Sequence, residues 1–355
     1  MKLAAVSAFV AVLVLAPSAW AHGGSATQAT SFRPELDGVV PPGSGVGVRL
    51  VDDGTRIELD AGEHEVVVLG YEGEPYLRVD ADGVFENQRS PSTYLNTSLT
   101  GSTPPPEADA SAAPDWKRIG DGPTVRWHDH ALHVPPGQAT GARDESRWER
   151  PLVVDGESFA LRGRIVTLPE PLPAPWLVLG AALAVVVVLA GRAAWRTTIV
   201  GALAVLVVAD GARLYGLVFG TPTWLESRWG VLRESATMSI IGWGMATACV
   251  VLLLRRRRLE AAAAATIAGA VLALAGGLLE LDDLTAARLG NALPDAAARG
   301  AIAVVFGVGL GVAVSALLEL RRGSTTRARP ARRSGSAPSP GDDTRTASPS
   351  APPSG

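Results

Sequence analysis

The chain has 355 residues, of which 47% are hydrophobic and 19% are charged, and its one cysteine is Cys249. This composition excludes a fully disordered chain and a disulfide-stabilised scaffold, and the net charge of −3 gives no sign of nucleic-acid binding. Charge is unevenly distributed: residues 22–170 carry 13 Lys and Arg against 24 Asp and Glu, whereas residues 171–355 carry 18 against 11. An acidic N-terminal half followed by an apolar half rich in arginine is typical of a membrane protein.

The N-terminus predicts an export signal. Lys2 precedes a short apolar run that ends in an A-x-A cleavage site at Ala19 and Ala21. We therefore expect residues 1–21 to be a signal peptide and the mature chain to begin at His22. A retained first transmembrane helix is the alternative, which the shortness of the apolar run disfavours.

Residues 22–170 predict a β-rich exported domain. Short segments of alternating apolar and polar residues recur along this region, separated by turn pairs such as Asp53-Gly54 and Asp82-Gly83. Such spacing predicts an all-β domain, either an Ig-like sandwich or a barrel. The predicted strands are 46–51, 55–59, 65–69, 75–79, 84–86, 123–134, 150–154 and 157–167.

The region 171–322 predicts an all-α membrane domain. Crossing the hydrocarbon layer takes about 20 apolar residues, and five stretches are long enough. We predict five transmembrane helices at 174–192, 197–219, 236–254, 261–280 and 300–319. Arginines follow the first, third and fifth spans, at residues 192 and 196, 255–258, and 321–322.

The positions of these arginines predict the orientation. Cytoplasmic loops carry the excess of Lys and Arg, so we expect a multi-pass protein of the plasma membrane with the β-rich domain outside and the C-terminus in the cytoplasm. Residues 323–355 are rich in Ser, Thr, Pro, Gly and Arg. We expect this segment to be a disordered cytosolic tail, because it cannot bury enough apolar surface to offset the entropy of ordering.

All histidines of the chain lie in the predicted exported domain, at positions 22, 64, 128, 130 and 133. In an extended strand over 123–134, His128 and His130 point to the same face, because side chains alternate. Two imidazoles on one face reach a common metal ion, and His133 or a carboxylate would complete the ligand set. The alternative is a solvated strand face, which Arg126 and Asp129 indicate.

As the first residue of the expected mature chain, His22 resembles the histidine brace of secreted copper proteins, which include periplasmic copper-resistance carriers and copper monooxygenases. The resemblance rests on this one residue and its position, and it implies a copper ligand that binds through its amine and its ring nitrogen. A histidine placed there by chance is the alternative. Residues 22–170 contain neither Met nor Cys, so nitrogen ligands favour Cu(II) or Zn(II) over Cu(I). We expect His64, between two glutamates, to be a surface residue.

A segment rich in Tyr and Asn, residues 70–96, is expected to pin loops rather than to bind a ligand. The order of its motifs, residues 68–79, 83–87 and 90–96, followed by Val-Arg-Trp-His-Asp-His at 125–130, resembles an uncharacterised group of actinobacterial multi-pass membrane proteins. The resemblance implies an exported N-terminal domain before several spans, and it implies no activity.

Within the predicted spans, Asp210 and Arg213 lie three residues apart on the second helix and face the same side, so they can form a pair. An ionisable group inside the membrane is a functional candidate. The alternative is that both groups lie at the headgroup boundary. Glu280 ends the fourth predicted span, where we expect an interfacial position.

These observations favour an integral membrane protein whose exported domain binds Cu(II) or another divalent metal. The alternative is a structural or protein-interaction module of the cell envelope that holds no metal. A third hypothesis, copper-dependent oxidation, rests on His22 alone. The sequence contains no phosphate-binding loop, G-x-S-x-G or H-E-x-x-H motif, so we expect a binding protein rather than an enzyme. The expected partners are the lipid bilayer, a metal ion and an envelope protein, without nucleic acid.

Overall fold

The computed structural model describes residues 29–97, 101–133 and 146–328, and these residues form an N-terminal antiparallel β domain followed by helices. The predicted signal peptide, residues 1–21, and His22 lie outside the described residues, as does the chain after Ala328. The β-rich character predicted for the N-terminal region is confirmed.

The β domain has ten described strands in two sheets. The strands are β1 (Phe32–Val40), β2 (Gly47–Val51), β3 (Arg56–Asp60), β4 (Val66–Leu69), β5 (Pro75–Asp80), β6 (Gly83–Asn87), β7 (Trp116–Gly120), β8 (Thr124–His128), β9 (Ser146–Val154) and β10 (Glu157–Thr167), with a short helix α1 (Pro91–Leu95) after β6. One sheet has the order β1-β10-β9-β4-β5-β6-β7 and the other has the order β2-β3-β8. All paired strands are antiparallel.

The two sheets share one hydrophobic core. Along β3, Ile57 and Leu59 are fully buried, and their register partners on β8 are Trp127 and Val125. These side chains pack in one cluster with residues of the seven-stranded sheet, such as Leu161. Burying an apolar side chain of this size contributes about 1.5–3 kcal/mol to the stability of the fold. The alternating apolar residues that predict β3 therefore also stabilise it.

Two strands were absent from the sequence-based prediction, and one was predicted too long. β1 contains Pro34 and Gly38, and β7 exposes most of its side chains, so neither shows clean alternation. The predicted strand 123–134 is wrong beyond His128, where β8 ends. The chain instead enters a 3-10 turn over His130–Leu132, because the Asp129 carboxylate accepts a hydrogen bond from the backbone N–H two residues ahead.

The helices that follow are α2 (Ala174–Gly220), α3 (Arg228–Ser235), α4 (Thr237–Leu254), α5 (Arg258–Ala275) and α6 (Asp295–Ala328). A 3-10 turn over Leu278–Leu284 follows α5. In the described residues, four helical segments are long and apolar enough to cross a membrane: α2, α4, α5 with its following turn, and α6. Helix α6 continues to Ala328, so the expectation of disorder from residue 323 is wrong for its first residues.

Helix α2 reverses direction near its middle. Ala194 has non-helical dihedral angles of φ −142° and ψ 67°. On one side of this break, Trp176 lies against Gly300 near the start of α6. On the other side, the carbonyl of Gly216 accepts a hydrogen bond of 2.9 Å from the amide of Ala292, just before α6. Both ends of α2 therefore lie at the same end of the helical domain, and the chain turns back at the break.

The loop between α5 and α6 attaches to the β domain. Thr30 and Arg288 form an antiparallel bridge through two backbone hydrogen bonds of 2.8 and 2.9 Å. The Arg288 guanidinium also forms an ion pair with Asp53 and donates a hydrogen bond of 2.8 Å to the carbonyl of that residue. The β domain thus lies at the end of the helical domain where α2 begins and ends.

Candidate metal-binding site

Three of the predicted ligands, the imidazoles of His128, His130 and His133, lie together where β8 ends. The ring centroids of His128 and His130 are 5.1 Å apart, and those of His128 and His133 are 4.7 Å apart. The 3-10 turn brings the rings together, so the proximity predicted from strand alternation has a different structural cause. We call these three side chains the histidine cluster.

His128 offers a free ring nitrogen in a buried position. The residue is 3% exposed, and its Nδ1 lies 2.8 Å from the carbonyl oxygen of Thr55. A carbonyl oxygen only accepts hydrogen bonds, so Nδ1 carries the proton and Nε2 carries the lone pair. Nε2 is buried and has no hydrogen-bond partner among the described residues.

His133 resembles His128 in this respect, since its Nε2 is also buried without a partner among the described residues. Burial and the neighbouring imidazoles of His128 and His130 lower the pKa of His133 to about 4. Burial likewise lowers the pKa of His128 below its usual value. Both rings are therefore neutral at physiological pH, and the neutral imidazole is the form that binds metal ions.

Asp129 organises the turn from within the domain. The residue is 1% exposed, which is the opposite of the solvated position considered from the sequence. Its carboxylate accepts hydrogen bonds of 2.7 and 2.6 Å from the Arg150 guanidinium, and another of 2.9 Å from the amide of Ala131. With its oxygens occupied in this way, Asp129 positions the histidines and is not itself placed to bind a metal.

The segment rich in Tyr and Asn also supports the turn. The Tyr71 hydroxyl accepts a hydrogen bond of 2.9 Å from the backbone N–H of His130 and donates one of 2.7 Å to Oδ1 of Asn96. The Tyr94 hydroxyl donates a hydrogen bond of 3.0 Å to the carbonyl of Gln88. These contacts fix loops to one another, as expected from the sequence.

Trp224, in the loop between α2 and α3, covers the histidine cluster from the side of the helical domain. Its ring stacks on His128 with centroids 5.3 Å apart and an interplanar angle of 27°, and the Arg56 guanidinium lies 5.2 Å from the centroid of the same indole. A cavity of about 230 Å³ is lined by residues that include Trp224, His128 and Asn96. The sequence did not reveal this contact, because it joins residues almost a hundred positions apart.

The three imidazoles are suitable metal ligands by their chemistry, but their donor atoms do not point to a common position. In the part of the chain that the structure describes, no group of three or more His, Cys, Asp or Glu side chains is arranged to hold a metal ion. The rings are close, and Nε2 of His128 and of His133 have no hydrogen-bond partner among the described residues, so binding would require the side chains to rotate. His64 lies outside the cluster, with its Nδ1 2.6 Å from Oδ2 of Asp155 and its side chain 38% exposed.

The intramembrane candidates are paired. Nε of Arg213 lies 3.0 Å from Oδ1 of Asp210, and both residues are buried in the helical domain. Glu280, expected at the membrane interface, also contacts the Arg213 guanidinium.

None of the protein-family models, curated proteins or solved structures compared with this chain matches it.

Proposed function

We propose that this chain is a multi-pass protein of the plasma membrane that presents its β domain on the outer side to bind a divalent metal ion, preferably Cu(II). The observation that carries the proposal is the environment of the two ring nitrogens of His128: Nδ1 donates to the Thr55 carbonyl, and Nε2 is buried without a partner in the part of the chain that the structure describes. Metal-binding histidines commonly donate their other ring N–H to a carbonyl or carboxylate in this way. His128 would be the first ligand, joined by His133 and His130.

The chemistry of the cluster favours Cu(II), with Zn(II) second. A buried polar atom without a hydrogen bond costs about 1–3 kcal/mol, and a metal ion bound to Nε2 of His128 and of His133 would remove that cost at both atoms. Imidazole donors suit both ions, and the general order of affinities places Cu(II) above Zn(II). His22, as the first residue of a cleaved chain, would add its amine and ring nitrogen.

For the membrane domain we propose five crossings, with α2 crossing twice. As one straight helix, the 47 residues of α2 would be about 70 Å long, more than twice the hydrocarbon thickness. The break at Ala194 and the common location of both ends of α2 support two antiparallel spans.

The arginine-rich ends support the proposed orientation. Arg196 donates to the Leu253 carbonyl at 3.3 Å, and Arg258 pairs with Glu319 at 2.7 Å. Through these contacts Arg196 and Arg258, which follow the first and third predicted spans, lie at the end of the helical domain opposite the β domain. Because arginine-rich loops stay in the cytoplasm, the β domain would lie outside.

The single core shared by the two sheets of the β domain supports a sandwich rather than a barrel.

Titration of the full-length protein in lipid nanodiscs with Cu(II) tests the metal proposal. Cu(II) quenches indole fluorescence at short range, and Trp224 stacks on His128. We expect saturable quenching in the wild type. In a His128→Ala, His130→Ala double variant, the Cu(II) concentration that gives half of the maximal quenching should rise at least tenfold. Trp224→Phe should lose most of the quenching while calorimetry still detects binding.

His64→Ala is the matched control, because His64 lies in the same domain but outside the cluster. We expect it to bind Cu(II) as the wild type does. Wild-type affinity in the double variant, with its near-ultraviolet circular dichroism unchanged, would refute the metal site.

A second candidate function is an envelope interaction module that needs no metal. It is favoured by the net charge of −11 in residues 22–170, which suits contact with a basic partner surface. In that case, protein treated with a chelator would retain an envelope partner in a pull-down, and the histidine double variant would retain it equally.

A further inference from the structure

A polar cluster lies inside the helical domain, away from the histidine cluster. The Arg213 guanidinium contacts three groups: Oδ1 of Asp210 at 3.0 Å, Oε1 of Glu280 at 2.5 Å and Oγ of Ser239 at 3.3 Å. Asp210 is 0% exposed and Arg213 is 5% exposed. From the end of α2 at Gly220, Asp210 lies about 15 Å along the helix axis, well inside the span.

The surrounding elements closely enclose Asp210 and Arg213, whereas the Glu280 side chain is 19% exposed. A Cβ atom added at Gly276, just after α5, would come within 2.8 Å of Nε of Arg213 and 2.9 Å of Oδ1 of Asp210. Val305 of α6 lies against the same glycine. Helices α2, α4 and α6 and the end of α5 therefore all contribute to the enclosure.

The charges in this enclosure do not balance. Two carboxylates, Asp210 and Glu280, share one guanidinium, which leaves one excess negative charge. Among the described residues, the other groups in contact with this cluster are uncharged: the Ser239 hydroxyl of α4, the backbone of Gly276 just after α5 and the apolar side chain of Val305 of α6. An unbalanced charge in an apolar bundle is strongly unfavourable.

A second observation identifies where the imbalance is relieved. Oδ2 of Asp210 is buried and has no hydrogen-bond partner among the described residues. We propose that the cluster of Asp210, Arg213 and Glu280 is a proton-binding site, which holds one proton on its carboxyl groups when the protein is in the bilayer.

A proton fits this site better than a metal cation does. The guanidinium of Arg213 already occupies the space between the two carboxylates, where a cation would gain most from them. Hard cations such as Ca²⁺ take about six to eight oxygen ligands, far more than the cluster offers. A proton on the carboxyl groups of the cluster needs no additional ligand and removes the excess charge.

Infrared spectroscopy of the full-length protein in lipid nanodiscs at neutral pH tests the proposal. We expect the wild type to show the C=O stretching band of a protonated carboxylic acid, shifted in D₂O. Asp210→Asn and Glu280→Gln should each abolish this band, because the remaining carboxylate alone balances Arg213. If one of these variants does not fold, the other still provides the comparison.

Asp282→Asn is the matched control, since Asp282 is exposed in the same turn as Glu280, and it should retain the band. A wild type without the band, or a band that persists in both cluster variants, would overturn the proposal. Thermal stability should not depend on whether the salt is sodium or choline chloride. Stabilisation by sodium that disappears in Asp210→Asn would overturn it in favour of a metal cation.

Discussion

The buried ion pair of Arg150 and Asp129 fixes the turn that carries the histidine cluster. Their side chains are 6% and 1% exposed. Arg150→Ala leaves the Asp129 carboxylate buried without its counter-ion, and we expect the free energy of unfolding of the β domain to fall by about 3–5 kcal/mol. Denaturant unfolding followed by tryptophan fluorescence measures this change.

The control for that variant is Arg162→Ala. Arg162 pairs with Glu149, but both side chains are about half exposed, at 51% and 50%. Exposed pairs contribute about 0.2–1 kcal/mol, so this variant should be nearly neutral. Equal losses in the two variants would show that the Arg150 pair has no special structural role.

Glu74 gives the β domain a dependence on pH. Burial raises the pKa of its carboxyl, but hydrogen bonds from the hydroxyls of Ser90 (2.5 Å) and Ser92 (2.9 Å) and from the amide of Glu72 (3.0 Å) outweigh burial. The pKa therefore lies below its usual value. A lowered carboxyl pKa stabilises the fold above the unfolded-state pKa of about 4.5, and this stabilisation is lost as the pH falls through the folded value.

We expect wild-type protein to lose stability as the pH falls below about 4.5, and we expect Glu74→Gln to lose less. Denaturant midpoints measured across the acid range provide the readout. Glu72→Gln, at an exposed position two residues earlier, should keep the wild-type profile. Parallel profiles for wild type and Glu74→Gln would contradict the assignment.

The residues of the histidine cluster could be predicted from the sequence, but their geometry could not. Three imidazoles within six positions lie near one another in almost any local conformation. The strand argument failed because Asp129 begins a turn, a tendency that Asp shows when its carboxylate binds the backbone two residues ahead. Arg150 and Trp224, which bury and order the cluster, are distant in sequence and left no local signal.

At the scale of elements, close glycine contacts join α2 and α6. A Cβ atom at Gly307 would come within 2.2 Å of the Gly180 carbonyl oxygen. We expect Gly307→Ala to lower the stability of the detergent-solubilised protein by about 1–3 kcal/mol, because the helices must move apart. Thermal unfolding in one detergent measures the effect.

Gly201 provides a control on α2 itself, since a Cβ atom there would meet nothing within 4 Å. Gly201→Ala should be neutral or stabilising by up to about 1 kcal/mol, because alanine favours the helix. A Gly307→Ala variant that melts at or above the Gly201→Ala variant would contradict the close packing of α2 and α6.

The elements differed in how well the sequence predicted them. Long apolar helices were found because hydropathy averages over many residues, and the predicted boundary between 192 and 197 contains the break at Ala194. Strands such as β3 were found because one face is buried. The edge strands β1 and β7 were missed because partial exposure removes the alternation on which the prediction depends.

At the scale of the whole molecule, two loops of the helical domain contact the β domain. Arg288 binds the segment around Thr30 and Asp53, and Trp224 stacks on His128. The proposed metal site therefore lies at the junction of the two parts of the protein. Neither contact was foreseen from the sequence, because each joins residues far apart in the chain.

The central claim is that the β domain with its histidine cluster lies outside a membrane that the helices cross. Cys249 is 0% exposed, so cysteines introduced at exposed sites can be labelled over a low background. Ser158 on β10 and Arg255 after α4 are both exposed. In intact spheroplasts, we expect a membrane-impermeant maleimide to label Ser158→Cys and to label Arg255→Cys only after permeabilisation. Labelling of Arg255→Cys in intact spheroplasts, with Ser158→Cys protected, would contradict the claim.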